Sequence, residues 1–216
     1  MITNLGDTHS IINVWIREMR DVAIHSERMR FRKNLERLGS VAAYEISKKL
    51  SYVPVTVQTP IGQAACYTLE KQPVVVTILR AGLPLYQGIL DFFDNADGAF
   101  IGAYRKHHAD DSFEILQLYI TNPPLDGRPL IIADPMLATG ASMSLAISSL
   151  LEHGKPSAIH VVSAIATHTA IEHIKKQFPD AYVWVGAIDD ELTTKGYISP
   201  GLGDAGDLAF GEKKQY

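Results

Sequence analysis

A chain of 216 residues that is 46% hydrophobic and 20% charged carries the apolar material of a folded globular protein, in one large domain or two small ones. A formal net charge of −4 argues against broad binding to a phosphate backbone, so no nucleic-acid partner is expected. The lone cysteine, Cys66, excludes an internal disulfide and a cysteine-built zinc site.

Residues 10–20 and 26–50 read as helices. In the second, Phe31, Leu35, Leu38, Ala42 and Ile46 recur at three- or four-residue spacing, with Arg30, Lys33, Glu36 and Arg37 between them. Residues 54–60 read as a short strand, with 64–69 able to pair back on it, and Cys66 there is read as a small core residue. The β-branched run 74–79 predicts a strand buried on both faces. A helix follows over 85–93, then strands over 99–104 and 113–120 around a polar excursion, 105–112. That excursion reads either as a lid over a site or as a solvated hairpin tip. Further on come a strand at 130–133, a helix at 142–153, a strand at 159–165, a helix at 168–178 and a strand at 182–188. Strands alternating with helices predict an α/β fold with a mostly parallel, doubly wound sheet. Residues 189–216 read as a glycine-containing, loop-rich tail. No apolar run approaches the ~18 residues that cross a bilayer, and the N-terminus lacks a basic, apolar leader. No membrane association is expected, and the cytoplasm is the expected compartment.

The segment Leu-Ile-Ile-Ala-Asp-Pro-Met-Leu-Ala-Thr-Gly-Ala-Ser-Met-Ser, residues 130–144, carries the most chemistry. A buried strand ends in Asp134, and a loop rich in small and hydroxyl residues then leads into a helix. Main-chain N–H groups at such a helix start suit a phosphate, and the acid beside them suits sugar hydroxyls. An ordinary helix cap needs one hydroxyl; Thr139, Ser142 and Ser144 around Gly140 exceed that. Arg80-Ala81-Gly82 likewise follows a buried strand and precedes Pro84, a favourable helix start.

Gly201-Leu202-Gly203-Asp204-Ala205-Gly206 fits the dinucleotide pattern G-x-G-x-x-G. That reading is rejected because Pro200 precedes it and too little chain follows for a βαβ unit. The eight histidines form no metal signature: His168 and His173 lie off one helical face. Asp189-Asp190-Glu191 reads as a solvated turn rather than a metal site.

Residues 78–83 (Ile-Leu-Arg-Ala-Gly-Leu), residues 134–140, and Gly196-Tyr197-Ile198 leading to Pro200 and on to Asp207 together resemble the uracil phosphoribosyltransferases, of the type I phosphoribosyltransferase group. The resemblance runs from about residue 74 to the C-terminus. It implies one phosphoribosyltransferase domain over 1–216: an N-terminal helical region to about residue 52, a core over about 74–188 that binds phosphoribosyl pyrophosphate (PRPP), and a base-binding hood over about 189–216. Arg80, Arg105, Asp134 and Asp204 are the implied catalytic residues. PRPP would meet Arg80, Ala81, Gly82, Arg105, Asp134, Pro135, Met136, Leu137, Ala138, Thr139, Gly140, Ala141, Ser142 and Asp204. Uracil would meet Tyr197, Ile198, Gly203, Asp204 and Ala205. The protein itself is expected to offer no closed metal site, Mg²⁺ arriving with PRPP. A GTP effector and a homo-oligomer, dimer or tetramer, are further implications.

The chain departs from the family pattern at three places. Ala133 occupies the first of the two positions where type I motifs commonly carry adjacent acids, which matches the uracil-specific branch. Ala141 replaces a second glycine, and Lys106-His107-His108 follows Arg105 in place of acidic residues. The implied reaction converts uracil and PRPP to UMP and pyrophosphate. Two rivals remain from the residues alone: a nucleotide-controlled RNA-binding regulator, and a purine phosphoribosyltransferase on the same PRPP core.

Overall fold

A computed structural model describes residues 1–107, 113–194 and 196–212, with the backbone alone for 103–107 and 113–118. In chain order its elements are β1 (Ile2–Asn4), α1 (Ile11–Arg20), α2 (Arg28–Ser47), β2 (Tyr52–Gln58), β3 (Gln63–Leu69), β4 (Val74–Leu79) and α3 (Leu83–Leu90). Then follow β5 (Asp97–His107), β6 (Phe113–Thr121), β7 (Pro129–Ala133), β8 (Met136–Leu137), α4 (Ala141–Leu151), β9 (Ala158–Thr167) and α5 (His168–Gln177). The chain ends with β10 (Tyr182–Asp189), β11 (Glu191–Leu192), β12 (Ile198–Ser199) and α6 (Ala205–Phe210).

The main sheet runs β1-β10-β9-β7-β4-β5-β6, with β8 also on β9. All its pairings are parallel except β5 with β6, which form an antiparallel edge hairpin. The apolar runs are uninterrupted because helices cover both faces. Side chains alternate across the sheet: Val75, Ile131, Val162 and Trp184 point to the layer of α1, α2, α3 and α6. Val74, Val76, Ile132, Val161 and Val183 point to α4 and α5. One strand therefore feeds two cores.

From β4 the chain builds outward to β5 and β6 on one side, then returns to place β7 on the other. Strand order thus reverses between β4 and β7, and a crevice opens at the carboxyl ends of strands at such a switch point. Thr77 pairs with Ala133, so the two strands end at nearly the same level. Leu79 and Ala133 are their last residues, which sets Arg80 and Asp134 side by side at one sheet edge.

The expected alternation of strands and helices is present, with several differences, among them the two-residue strand β8 within the expected loop. β1 is an unexpected edge strand, whose three residues are too few to show a period. The tail contains the hairpin β11–β12 and the short helix α6 as well as loops. Arg105 lies within β5, in register with Ile115, because antiparallel pairing extends the strand beyond residue 104. Cys66 is a free, half-buried thiol on the protruding β2–β3 hairpin, outside the core clusters. Most of the polar excursion expected at 105–112 lies outside the described residues.

Candidate active site

Three main-chain segments build the crevice, and the structure assigns each a definite support. The loop after β7 is pinned first by Asp134, whose N–H donates to Val162 O at 3.1 Å. Pro135 O then accepts from Ala164 and Ile165 at 3.1 and 3.0 Å. At its far end, Thr167 Oγ1 donates to Ala138 O at 2.7 Å while accepting from Ala170 N, so the start of α5 holds the loop from behind. The Asp134 carboxylate also accepts a long bond from Met136 N at 3.4 Å.

Gly140 begins α4 in the left-handed region, with φ +79°. The positive φ favours glycine, and a Cβ there would fit tightly, 3.0 Å from Ala170 O and 3.2 Å from His173 Cδ2. No side chain caps the helix. Thr139 Oγ1 accepts only a long bond from Ala141 N at 3.3 Å, and the buried Ser144 hydroxyl has no hydrogen-bond partner. The hydroxyls in excess of a cap are therefore not consumed by the helix start, where oriented N–H groups and the positive dipole end favour an anion. Ala141, where the family pattern has a second glycine, simply opens the helix.

The segment after β4 lies against this loop. The Leu79–Arg80 peptide is cis. Gly82 packs so closely that a Cβ would collide with Thr77 Oγ1 and come within 2.6 Å of Ala133 O. On its other side, Arg80 Nη2 donates to Asp207 Oδ1 at 2.9 Å and to Gly211 O at 2.7 Å. Gly206 completes the seat: a Cβ there would lie 3.8 Å from Ala81 Cβ and 3.9 Å from Arg80 Nε. Arg80-Ala81-Gly82 therefore bridges the Asp134 loop and the tail.

Within the tail, Asp204 caps α6 by accepting from Asp207 N at 3.0 Å. Arg32 of α2 donates to Ala209 O at 2.7 Å near the other end of that helix. Ile198, Leu202 and Ala205 are buried in the same cluster as Ala133 and Ala138, and Ala81 and Met136 pack against it. Gly203, with φ +97°, exposes main chain beside Asp204. A depression of about 260 Å³ opens there, lined by Gly203, Asp204, Asp207 and Leu208 and closed by His25 and Ser26 from the α1–α2 connection and Arg28 at the start of α2.

This geometry suits a phosphorylated ligand. The sequence model of uracil phosphoribosyltransferase matches residues 7–212. The chain belongs to the uracil phosphoribosyltransferase family. A uracil phosphoribosyltransferase from Porphyromonas gingivalis is 49% identical over 213 residues, covering 98% of this chain and 99% of that one. One from Methanococcus maripaludis is 38% identical, covering 88% and 82%. Among solved structures, a protein from Aquifex aeolicus superposes with a TM-score of 0.87 at 33% identity, covering 98% of each chain. The sheet flanked by helices is thus the architecture expected for a type I phosphoribosyltransferase.

Of the expected uracil phosphoribosyltransferase site residues, Arg80 to Gly82, Asp134 to Ser142, and Ile198 with Gly203 to Ala205 gather at this sheet edge. Tyr197 is 46% exposed, with its N–H donated to Thr193 Oγ1. The side chain of Arg105 lies outside the described residues. Among the described residues no group of three or more His, Cys, Asp or Glu is arranged to hold a metal. No helix among them is long and apolar enough to cross a membrane.

Asp189 escapes the sequence reading. Instead of a solvated turn, it is 6% exposed and takes two bonds from Arg20, at 2.7 and 2.8 Å. The available signal was positional: like Asp134, it ends a β-branched parallel strand. Asp190 and Glu191 are exposed, but Glu191 opens strand β11 rather than sitting in a turn. Asp207, now the partner of Arg80, also lacked an assigned role.

Proposed function

We propose that the crevice at the β4–β7 switch point binds PRPP and uracil and transfers the phosphoribosyl group to give UMP and pyrophosphate. Family membership makes this chain a phosphoribosyltransferase for uracil, and the residue roles are our own reading. The observation that supports it is the seat of Arg80-Ala81-Gly82 between the Asp134 loop and the Gly203–Asp207 segment.

In this reading the 5′-phosphate lies on the N–H groups from Ala138 to Ser142, and Pro135, Met136 and Leu137 shape the wall leading to them. Asp134 accepts from the ribose hydroxyls. Arg80, the main chain of Ala81 and Gly82, and Arg105 meet the pyrophosphate. The C1–O bond breaks as the ribose gains oxocarbenium character, and uracil N1 forms the new bond from the opposite face. Positioning and charge stabilisation do most of the work. Asp134 opposes the positive charge growing on the ribose, and the arginines offset the charge of the leaving group.

Uracil is read by Ile198, Gly203, Asp204 and Ala205, with Tyr197 at the rim. Main-chain donors and acceptors beside the exposed Gly203 would match the alternating edge of uracil. Cytosine would leave a donor facing an amino group, at a cost of about 1–3 kcal/mol. The proton of N1 leaves to solvent, to Asp204 or to a main-chain carbonyl.

The donor set fits Mg²⁺ delivered by PRPP rather than a protein-built cage: Asp204 and Asp207 are two carboxylates on one depression, and Mg²⁺ is commonly held by one or two carboxylates plus phosphate oxygens. Bound there, the cation would supply charge neutralisation on the pyrophosphate.

The same reading makes the chain one cytoplasmic domain with GTP as an effector and no nucleic-acid partner, working as a homo-oligomer, dimer or tetramer. Support for the oligomer comes from the β2–β3 hairpin, where Val53, Val55, Val57, Ile61 and Tyr67 are exposed. A two-stranded hairpin is marginal alone in water.

Pyrophosphate release from PRPP should be measured with uracil, cytosine, hypoxanthine and no base. Release with uracil alone is expected. Release with hypoxanthine would transfer the assignment to purines, and salt-sensitive RNA binding without UMP formation would favour the regulator.

A further inference from the structure

Arg20 and Asp189 belong to neither subsite, yet their bonds converge on one peptide of the tail. Asp189 Oδ2 accepts from Gly201 N at 2.9 Å, and Arg20 Nη1 donates to Gly201 O at 3.1 Å. The same two side chains hold each other through Arg20 Nη1 to Asp189 Oδ2 at 2.8 Å and Arg20 Nη2 to Asp189 Oδ1 at 2.7 Å. Both polar main-chain groups of Gly201 are therefore taken by a bidentate ion pair anchored on the last turn of α1 and the end of β10.

We infer that Arg20 and Asp189 are positioning residues for nucleobase recognition, a clamp that sets the height and orientation of the base-reading loop. Gly201 has φ +58°, and a Cβ there would collide with Ile198 O. The clamped residue thus sits directly on Ile198 and two positions before Gly203. Asp189 also closes the base of the β11–β12 hairpin, whose strands pair Leu192 with Ile198. An apolar filler at this place would leave the Gly201 N–H and C=O unsatisfied. The bidentate pair satisfies both and adds directional rigidity.

The clamp is selective by construction. The phosphate loop stands on β7, β9, α4 and α5, and the side chains of Arg20 and Asp189 make no bond to it; Asp189 meets its support only through main-chain pairing with Thr167. Loosening the clamp should blur the edge presented to the base while leaving the ribose-phosphate subsite intact. This rests on the assignment of Ile198, Gly203, Asp204 and Ala205 to uracil.

The experiment is steady-state kinetics on the full chain for Arg20→Ala, Arg20→Lys and Asp189→Asn, with Gly203→Ala as the check on the base site and Asp190→Asn as the control. Losing charged hydrogen bonds should raise KM for uracil about 10- to 100-fold in Arg20→Ala, with KM for PRPP within about twofold of wild type. Arg20→Lys and Asp189→Asn should fall between, Asp190→Asn should match wild type, and millimolar guanidinium should restore uracil binding to Arg20→Ala. Equal rises in both KM values, or a lowered melting temperature with unchanged uracil KM, would reduce the pair to a structural support and overturn the inference. A raised uracil KM in Gly203→Ala with none in Arg20→Ala sinks the clamp alone. Silence in Gly203→Ala sinks the base-site assignment, and the clamp with it.

Discussion

Arg80, one residue past the end of β4, holds the Asp207 carboxylate at 2.9 Å across the crevice. The guanidinium assigned to pyrophosphate therefore also fastens the tail assigned to the base. In the proposed reading, pyrophosphate oxygens would compete with Asp207 for the same donors, coupling occupancy of the two proposed subsites.

Arg80→Ala should lower kcat/KM for PRPP about 10- to 100-fold, the range expected for a lost charged donor. Asp207→Asn tests the other partner. The pair is partly exposed, at 41% and 30%, so it should change unfolding free energy by only about 0–1 kcal/mol. Initial-rate kinetics and urea titration separate the two effects. Unchanged PRPP kinetics in Arg80→Ala would remove this arginine from the site.

Asp134→Asn keeps the shape and loses the charge. If the carboxylate opposes positive charge on the ribose, kcat should fall by about 10²-fold with a smaller change in PRPP affinity. An effect confined to KM would mean uniform binding of ground and transition states.

Arg105→Ala should reduce turnover with PRPP at least about tenfold if its guanidinium contacts the leaving group. Rates equal to wild type would remove Arg105 from the site.

Gly82→Ala places a methyl group against Thr77 Oγ1 and Ala133 O, both part of packed strands. Neither neighbour can retreat without disturbing the β4–β7 pairing. A loss of about 1–3 kcal/mol in unfolding free energy, with PRPP binding impaired, is expected from calorimetry and titration. A variant as stable as wild type would show that this contact relaxes freely.

His160 supplies a pH dependence. It is wholly buried on β9, stacked on Tyr182 at 4.8 Å, and its Nδ1 accepts from Trp184 Nε1 at 3.2 Å. Burial lowers its pKa from 6.5 to about 4. The unfolded chain then binds a proton that the folded chain refuses between those values. Stability from this group is complete above about pH 6.5 and falls as pH drops toward 4, by up to about 3 kcal/mol. His160→Gln, which retains an acceptor for Trp184, should flatten that part of the urea-midpoint profile. An identical profile would place the pH dependence elsewhere.

Much of the architecture is legible in local pattern. Val74 to Leu79 and Leu130 to Ala133 read as strands covered on both faces because a parallel strand between helix layers needs no polar alternation. Asp134 and the Thr139–Ser142 loop stand out because an acid and surplus hydroxyls interrupt apolar runs. The tail was harder. Its two-residue strands and six-residue helix are too short for a period, and they exist through Asp189, Arg32 and Arg80, which are distant in sequence.

By itself the sequence determined the order of the longer strands and helices, the prominence of Asp134 and the loop after it, and the family, since each depends on neighbouring residues or on a motif read in line. Only the tertiary structure decided that Arg80 serves two segments, that Asp189 is a buried clamp rather than a turn, and that Cys66 lies off the core. Those outcomes depend on which groups lose water together. Residues 20, 189 and 201 become partners only when the sheet has brought their elements to one edge, where a charge must find its counterpart or remain solvated.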